Sequence, residues 1–333
     1  MRCNRMEMGI MVPVVDMSGY ASPGGRAAIA RQVARAAQDI GFFTITGHGV
    51  PAALIEDMRA VSKAFFGLPA AQKATAHRRH PDHNRGFFPY GEVALAKSTG
   101  HATPPDRKEV FSMGLQRPPE DVDPSNPDAA IHFAPNYWPE GFPRMQEVWA
   151  RYFDELLALA DRLMRVFALA LDLPEDFFVK RIDHSPSSLA AVDYFETSHA
   201  AQEQQLRAGA HTDYGTLTIL LSENKPGGLQ VRTRAGEWID VLTVPDAFVI
   251  NIGDLMQRWT NDKWLSNLHR VANPPADASG NSRRLSIVFF HNANFDALIE
   301  CIPSCLDDGT AKYPPILAGE HRLEKFRRAN RVS

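Results

Sequence analysis

Seven short segments in the C-terminal half constrain the fold of this 333-residue chain more than any other feature. Residues 189–195, 216–221, 228–232, 238–241, 247–252, 268–271 and 284–290 are rich in β-branched and aromatic side chains, which suit a pleated, half-buried surface. Turn residues separate them at 224–228, 234–236 and 277–280. No helical period intervenes. Evenly spaced short strands without crossover helices predict an antiparallel sandwich or jelly roll rather than a parallel α/β sheet.

The preceding half reads differently. Val12-Pro13-Val14-Val15-Asp16 is a short opening strand, and Ile29, Val33, Ala36, Ala37 and Ile40 recur at helical spacing over 23–40. Phe42-Phe43-Thr44-Ile45-Thr46 forms a strand ended by Gly47-His48-Gly49. Leu54, Met58, Val61 and Phe65 mark a second amphipathic helix. The pattern weakens from 69 to 143, where Pro104-Pro105, Pro118-Pro119 and an Asp/Pro/Asn-rich run at 121–128 signal a loop that wraps a site or packs on itself. A long helix is predicted over 143–171. The expected fold is mixed α and β, a jelly-roll core with a helical N-terminal region. Three segments, 1–184, 185–295 and a closing 296–333, make one compact unit.

Composition narrows the class. With 44% hydrophobic and 23% charged residues the chain is globular, and no apolar run is long enough to span a bilayer. A formal net charge of −3 leaves no electrostatic footprint for nucleic acid. The stretch 1–15 has no apolar core of a secretory signal. Three cysteines (Cys3, Cys301, Cys305) cannot build a disulfide framework and read as ordinary thiols, which suits a reducing cytoplasm. The expectation is a cytoplasmic monomer or homodimer acting on a small molecule.

Chemistry concentrates at His211-Thr212-Asp213, His269 and Arg284-Leu285-Ser286. In a strand, residues two apart share a face, so His211 and Asp213 can aim at one ion while Thr212 turns away. His269, inside Asn267-Leu268-His269-Arg270-Val271, supplies a third ligand from another strand. Two imidazoles and one carboxylate suit Fe(II) and leave coordination positions open. A period of two also puts Arg284, Ser286, Val288 and Phe290 on one face and Arg283, Leu285 and Ile287 on the other. Guanidinium and hydroxyl together can cradle a carboxylate; the competing reading of Arg284 is a salt bridge to an aspartate such as Asp254. His48, His184 and His291 read as structural histidines.

In order and spacing these motifs resemble the iron- and 2-oxoglutarate-dependent oxygenases of the isopenicillin N synthase-like family. Asp213-Tyr214-Gly215-Thr216, Gly227-Gly228-Leu229-Gln230-Val231, Arg85-Gly86-Phe87-Phe88, Asp106-Arg107-Lys108-Glu109, Asn136-Tyr137-Trp138-Pro139 and Asn251-Ile252-Gly253-Asp254 extend the likeness over residues 12–320. The resemblance implies a double-stranded β-helix, Fe(II) on His211, Asp213 and His269, and 2-oxoglutarate on Arg284 and Ser286. It further implies O2 as oxidant, succinate and CO2 as co-products, and hydroxylation, desaturation or cyclisation of a small substrate. Tyr194 stands in Asp193-Tyr194-Phe195-Glu196, where many members carry Asn-Tyr-Tyr-Pro, and is a candidate co-substrate contact. Isopenicillin N synthase itself has an Arg-x-Ser pair without using 2-oxoglutarate. A four-electron oxidase, an ethylene-forming enzyme and a non-catalytic cupin-like metal-binding protein therefore stay open as alternatives. On the substrate side, Arg85, Phe87, Phe111 and Phe195 are candidate contacts, and an aromatic wall with one arginine would suit an apolar, carboxylate-bearing molecule.

Overall fold

Ser22 and Pro23 start the first helix, α1 (Pro23–Asp39): the Ser22 hydroxyl accepts from the Gly25 amide at 3.0 Å, and proline at the first position sacrifices no intrahelical bond. Ile29, Val33, Ala36 and Ala37 form its buried face. The chain leaves through Gly41 at φ +72°, where any side chain would strike the Leu265 carbonyl. The computed structural model describes residues 12–101, 103–120, 122–123, 125–196, 201–275, 282–306 and 308–330. The stretch 1–11 with Cys3 and the turn expected at 277–280 lie outside the described residues. After α1 come α2 (Ala52–Phe66), the short α3 (Ala70–Ala74) and α4 (Pro127–His132), and the 28-residue α5 (Pro143–Ala170). Further on are α6 (Val179–Ile182), α7 (Asp254–Trp259) and α8 (Ala318–Asn330).

Two facing sheets form the core. The larger has the order β1 (Val14–Asp16), β2 (Phe42–Thr46), β10 (Phe248–Ile252), β7 (Leu217–Ser222), β12 (Arg284–His291), β5 (Ser188–Tyr194), β4 (Glu109–Gly114), β3 (Gly86–Phe88). Among the described strands of this sheet only β1 and β2 pair in parallel. The smaller sheet has the order β6 (Ala208–His211), β11 (His269–Val271), β8 (Leu229–Arg232), β9 (Trp238–Asp240). A hairpin of β13 (Leu298–Ile299) and β14 (Ile316–Leu317) leads into α8. Each of the seven expected C-terminal segments carries a strand.

The interval 69–143 is less irregular than its sequence suggests, because β3 and β4 lie in it and extend the large sheet. The first is three residues long, too short to show a period, and the second owes its extended form to pairing along β5. Half of the large sheet thus comes from the N-terminal segment, which shares that sheet with 185–295.

Alternation along these strands separates two environments. Leu285, Ile287 and Phe289 of β12, Leu189 and Ala191 of β5, and Ile219 and Leu221 of β7 belong to the main hydrophobic core, which α1, α2 and α5 cover. Arg284, Ser286, Val288 and Phe290 face the space between the sheets.

His291 ends β12 in full burial, with Nδ1 2.7 Å from the Thr216 hydroxyl. Burial pushes its pKa from the ordinary 6.5 down to about 3. The unfolded chain therefore takes up a proton below pH 6.5 that the folded chain refuses, and stability falls as pH falls toward 3. At pH 5 this one group costs about 2 kcal/mol. Denaturant midpoints should drop between pH 7 and 5, and less so in His291→Asn; equal drops would contradict this. His48 is also structural: its Nδ1 accepts from the Val50 amide and its Nε2 donates to the Asp246 carbonyl.

Candidate active site

β6 and β11 are antiparallel neighbours, and their register sets His269 directly across from His211. β6 stops at His211, so Asp213 is not part of the strand, as simple alternation predicted, but of the tight loop after it. The Asp254 amide donates to the Asp213 carbonyl at 2.8 Å, and the Gly253 and Leu255 amides to Thr216 and Gly215, each at 3.0 Å. Gly215 and Gly253 must be glycine there: a Cβ would come within 2.1 Å of the His291 carbonyl and 2.2 Å of the Gly215 carbonyl respectively. This loop brings Asp213 Oδ1 to 3.8 Å from His211 Nε2 and 3.7 Å from His269 Nε2. These distances are too long for hydrogen bonds and short enough for one ion to bridge. The three ligand atoms lie within 4.8 Å of one another, a set able to hold a metal ion.

Their second contacts fix which atoms face the ion. His211 Nδ1 donates to the Gly209 carbonyl at 2.7 Å and His269 Nδ1 to the Asn267 carbonyl at 3.1 Å, leaving both Nε2 lone pairs inward. Asp213 Oδ2 accepts from Thr218 Oγ1 at 2.6 Å and Asn251 Nδ2 at 2.7 Å, which leaves Oδ1 for the ion. Burial, then the neighbouring His269, pushes His211 down to about 3. Burial alone would raise the Asp213 carboxyl, but the two imidazoles and the Asn251 and Thr218 hydrogen bonds hold it below its ordinary value. Neutral imidazole and ionised carboxylate are the metal-binding forms, so His211 and Asp213 are held ready for an ion at neutral pH. Asn251→Ala removes one of the two Oδ2 donors and should weaken divalent-metal affinity roughly 10- to 100-fold. Metal titration checks this, and wild-type affinity in the variant would contradict it.

Arg284 lies on the same cavity wall. Its Nη1 donates to the Gly227 carbonyl at 3.1 Å, its Nη2 to the Ser222 hydroxyl, and its buried Nε meets no acceptor. Among the described residues no carboxylate pairs with it: Asp254 binds Lys325 at 2.7 Å, and Arg283 takes Asp193 in a two-pronged contact at 3.0 and 3.1 Å. The expected register therefore holds, and the Asp254 alternative does not. Tyr194 stands opposite Arg284 in the β5–β12 ladder, and its hydroxyl bonds Ser286; burial raises its pKa while Arg284 opposes that. Burial lowers the Arg284 pKa and nearby Glu223 offsets only part of that; a guanidinium with no carboxylate in contact keeps a desolvation cost that a ligand carboxylate relieves.

Triad, Arg284, Ser286 and Tyr194 all line one cavity, whose empty volume of about 1290 Å³ is open to solvent. The expected substrate contacts need correction. Asn84, Phe88 and Val110 line the cavity, whereas Phe87 and Phe111 point to the other face and pack on Phe65 at 5.7 and 4.9 Å between ring centres. Arg85 also turns away, donating to the Asn84 and His132 carbonyls. Phe195 meets Tyr90 edge-on at a partly exposed position and does not line the cavity. The reason is the period of two in β3 and β4, which could not be registered where no strand was recognised. Lys108, paired with the buried Asp106 at 2.9 Å, also lines the cavity, as do Arg322, Phe326 and Asn330 of α8. Lys108 and Asn251 stand inside motifs already singled out; nothing in the sequence signals that α8 reaches the site.

Comparison with known proteins agrees with this geometry. Residues 12–141 match the family model for the N-terminal region of non-haem dioxygenases in morphine synthesis, and 186–293 match the 2OG-Fe(II) oxygenase superfamily. A 2-oxoglutarate-Fe(II) type oxidoreductase of Emericella nidulans is 32% identical over 91% of this chain and 86% of its own. A 2-oxoglutarate-dependent dioxygenase of Aspergillus niger is 36% identical over 86% of each. The crystal structure of a full-length Neurospora crassa protein in complex with alpha-KG superposes with a TM-score of 0.81 at 28% identity, covering 96% of this chain and 97% of that one. The chain belongs to the 2OG-Fe(II) oxygenase superfamily and is a dioxygenase that uses Fe(II), 2-oxoglutarate and O2.

Proposed function

We propose that His211, Asp213 and His269 hold the Fe(II), and that Arg284 and Ser286, with Tyr194 beside them, hold the distal carboxylate of 2-oxoglutarate. The observation that carries this is one cavity with a three-ligand metal set and a buried arginine that, among the described residues, has no carboxylate in contact. The donor set fits the metal: two imidazole nitrogens and one carboxylate oxygen, each oriented from behind, with coordination positions left for co-substrate and oxygen. Bound Fe(II) would activate O2, the four-electron oxidant, which takes two electrons from 2-oxoglutarate as it becomes succinate and CO2 and two from the organic substrate as it is hydroxylated, desaturated or cyclised.

The chain's own residues supply position and environment. Thr218 and Asn251 keep Asp213 ionised and single-pronged. Gly209 and Asn267 carbonyls hold the imidazole rings in orientation. Arg284 offers a planar fork and Ser286 a hydroxyl to the co-substrate, while Leu95, Val110, Leu229 and Val271 exclude water from the walls. The primary substrate is a small, largely apolar molecule bearing a carboxylate. Support for small-molecule binding beside the co-substrate comes from the same Neurospora crassa protein, whose structure with alpha-KG and thymine superposes at a TM-score of 0.81. The core is read as a double-stranded β-helix, and the enzyme as a cytoplasmic monomer or homodimer; among the described residues no helix is long and apolar enough to cross a membrane.

Purified protein with Fe(II) and O2 should form succinate only when 2-oxoglutarate is added, in increased amount with a true substrate. Oxygen consumption without 2-oxoglutarate would contradict this reading and indicate a four-electron oxidase.

A further inference from the structure

Two guanidiniums are buried within electrostatic reach of each other at the end of the cavity remote from Arg284, and among the described residues neither has a carboxylate partner. Arg85 donates to the Asn84 carbonyl at 2.7 Å and the His132 carbonyl at 2.9 Å. Arg322, only 8% exposed on α8, donates Nη2 to His132 Nδ1 at 2.7 Å. The Nε of each is buried without an acceptor. His132 cannot offset them, since burial and then the two arginines push it down to about 2 and keep it neutral. Burial lowers Arg85 to about 9 and Arg322 to about 10, so both stay protonated at neutral pH. Two buried like charges without a counter-ion are costly unless an anion arrives.

Strand register locates this pair. Asn84 Nδ2 reaches the Ser188 hydroxyl at 3.4 Å, and Ser188 lies opposite Phe290. Phe290 is six residues along β12 from Arg284, about 20 Å at 3.3 Å per residue. The triad lies toward the Phe290 end: Thr218, which bonds Asp213, also stands opposite Phe290. The cavity thus has Arg284 toward one end of β12, and the metal set and Arg322 toward the other. Of the two buried arginines Arg322 lines the cavity; Phe326, one turn along α8, lines it as well, and Phe88 and Val110, level with Ser286 across β5, supply apolar wall further toward Arg284.

We propose that Arg322 binds a carboxylate of the primary substrate, with Arg85 behind it strengthening the field and His132 holding the guanidinium in orientation. The apolar body of that molecule then runs along Phe326 toward Phe88 and Val110, past the metal set. Arg322 selects anionic over neutral substrates. This rests on the reading of the cavity as the active site.

The test uses 3-phenylpropanoate and its amide, a pair of the same shape that differs in charge. Each is titrated by calorimetry, under anaerobic conditions, into the protein loaded with Fe(II) and 2-oxoglutarate. Wild type should bind the acid roughly tenfold or more tighter than the amide. Arg322→Met and Arg322→Gln should lose that preference, and Arg322→Lys should keep part of it. The absorption band of the Fe(II)–2-oxoglutarate complex without probe should be unchanged in all three, which shows that they fold and load. Equal binding of acid and amide by wild type, no binding of the acid, or a preference that survives in both neutral variants would overturn the proposal. Loss of the band in wild type would instead overturn the reading of the metal and co-substrate site, and calorimetry on the unloaded protein would still decide the role of Arg322.

Discussion

Alanine in place of His211, Asp213 or His269 lowers 2-oxoglutarate-dependent succinate formation by on the order of 10³-fold or more, because an ion that has lost one of three protein ligands is neither held nor oriented. The fold survives in each case. The triad packs between sheets whose cohesion comes from the core-facing side of the large sheet, where Ile219, Leu285, Ile287 and Phe289 are buried. The three variants should nonetheless differ in stability. Asp213→Ala strips the acceptor from Thr218 and Asn251, two buried donors, and should cost about 1–3 kcal/mol. The histidine Nδ1 contacts run to backbone carbonyls near the strand ends, so their loss should cost less. Succinate assays with thermal melts check both statements. Full activity in any one variant would remove that residue from the metal site.

Arg284→Ala raises the 2-oxoglutarate concentration needed for half-maximal turnover by roughly 100-fold, the equivalent of about 3 kcal/mol for a buried, charge-assisted contact. Iron affinity without 2-oxoglutarate should stay near wild type, since Arg284 contacts Gly227 and Ser222 rather than any ligand of the triad. Lysine should recover only part of the loss because it offers a point charge rather than a planar fork. An unchanged 2-oxoglutarate requirement would show that another group holds that carboxylate, with Arg207 the nearest alternative: it shares the Gly227 carbonyl with Arg284.

Much of the site was legible because strand alternation is a strong local rule. Arg284 and Ser286 could be assigned to one face from spacing alone, and the structure puts them there with Val288 and Phe290. His211 and His269 could be named but not paired from spacing; the β6–β11 register does that. Asp213 shows the limit of the rule. Its side chain reaches the histidines through a loop that two glycines and the α7 amides make tight, not through strand geometry. Phe87 and Phe111 failed as substrate contacts for the same reason in reverse: the rule applies in β3 and β4, but those strands are defined by pairing with each other and, through β4, with the distant β5. Arg322 was invisible because its role depends on where α8 docks. The Lys325–Asp254 ion pair and the Ala94 amide bond to the Ala329 carbonyl fix that docking, and both join residues far apart in the chain.

The central claim is that His211, Asp213 and His269 form an iron site completed by 2-oxoglutarate on Arg284. It is tested most directly by anaerobic titration of the metal-free protein with Fe(II) and then 2-oxoglutarate, followed by visible absorption. The account predicts a metal-to-ligand band that saturates at one equivalent of iron per chain, is absent in His269→Ala, and needs far more 2-oxoglutarate in Arg284→Ala. No band in wild type, or a band of full intensity in His269→Ala, would contradict it.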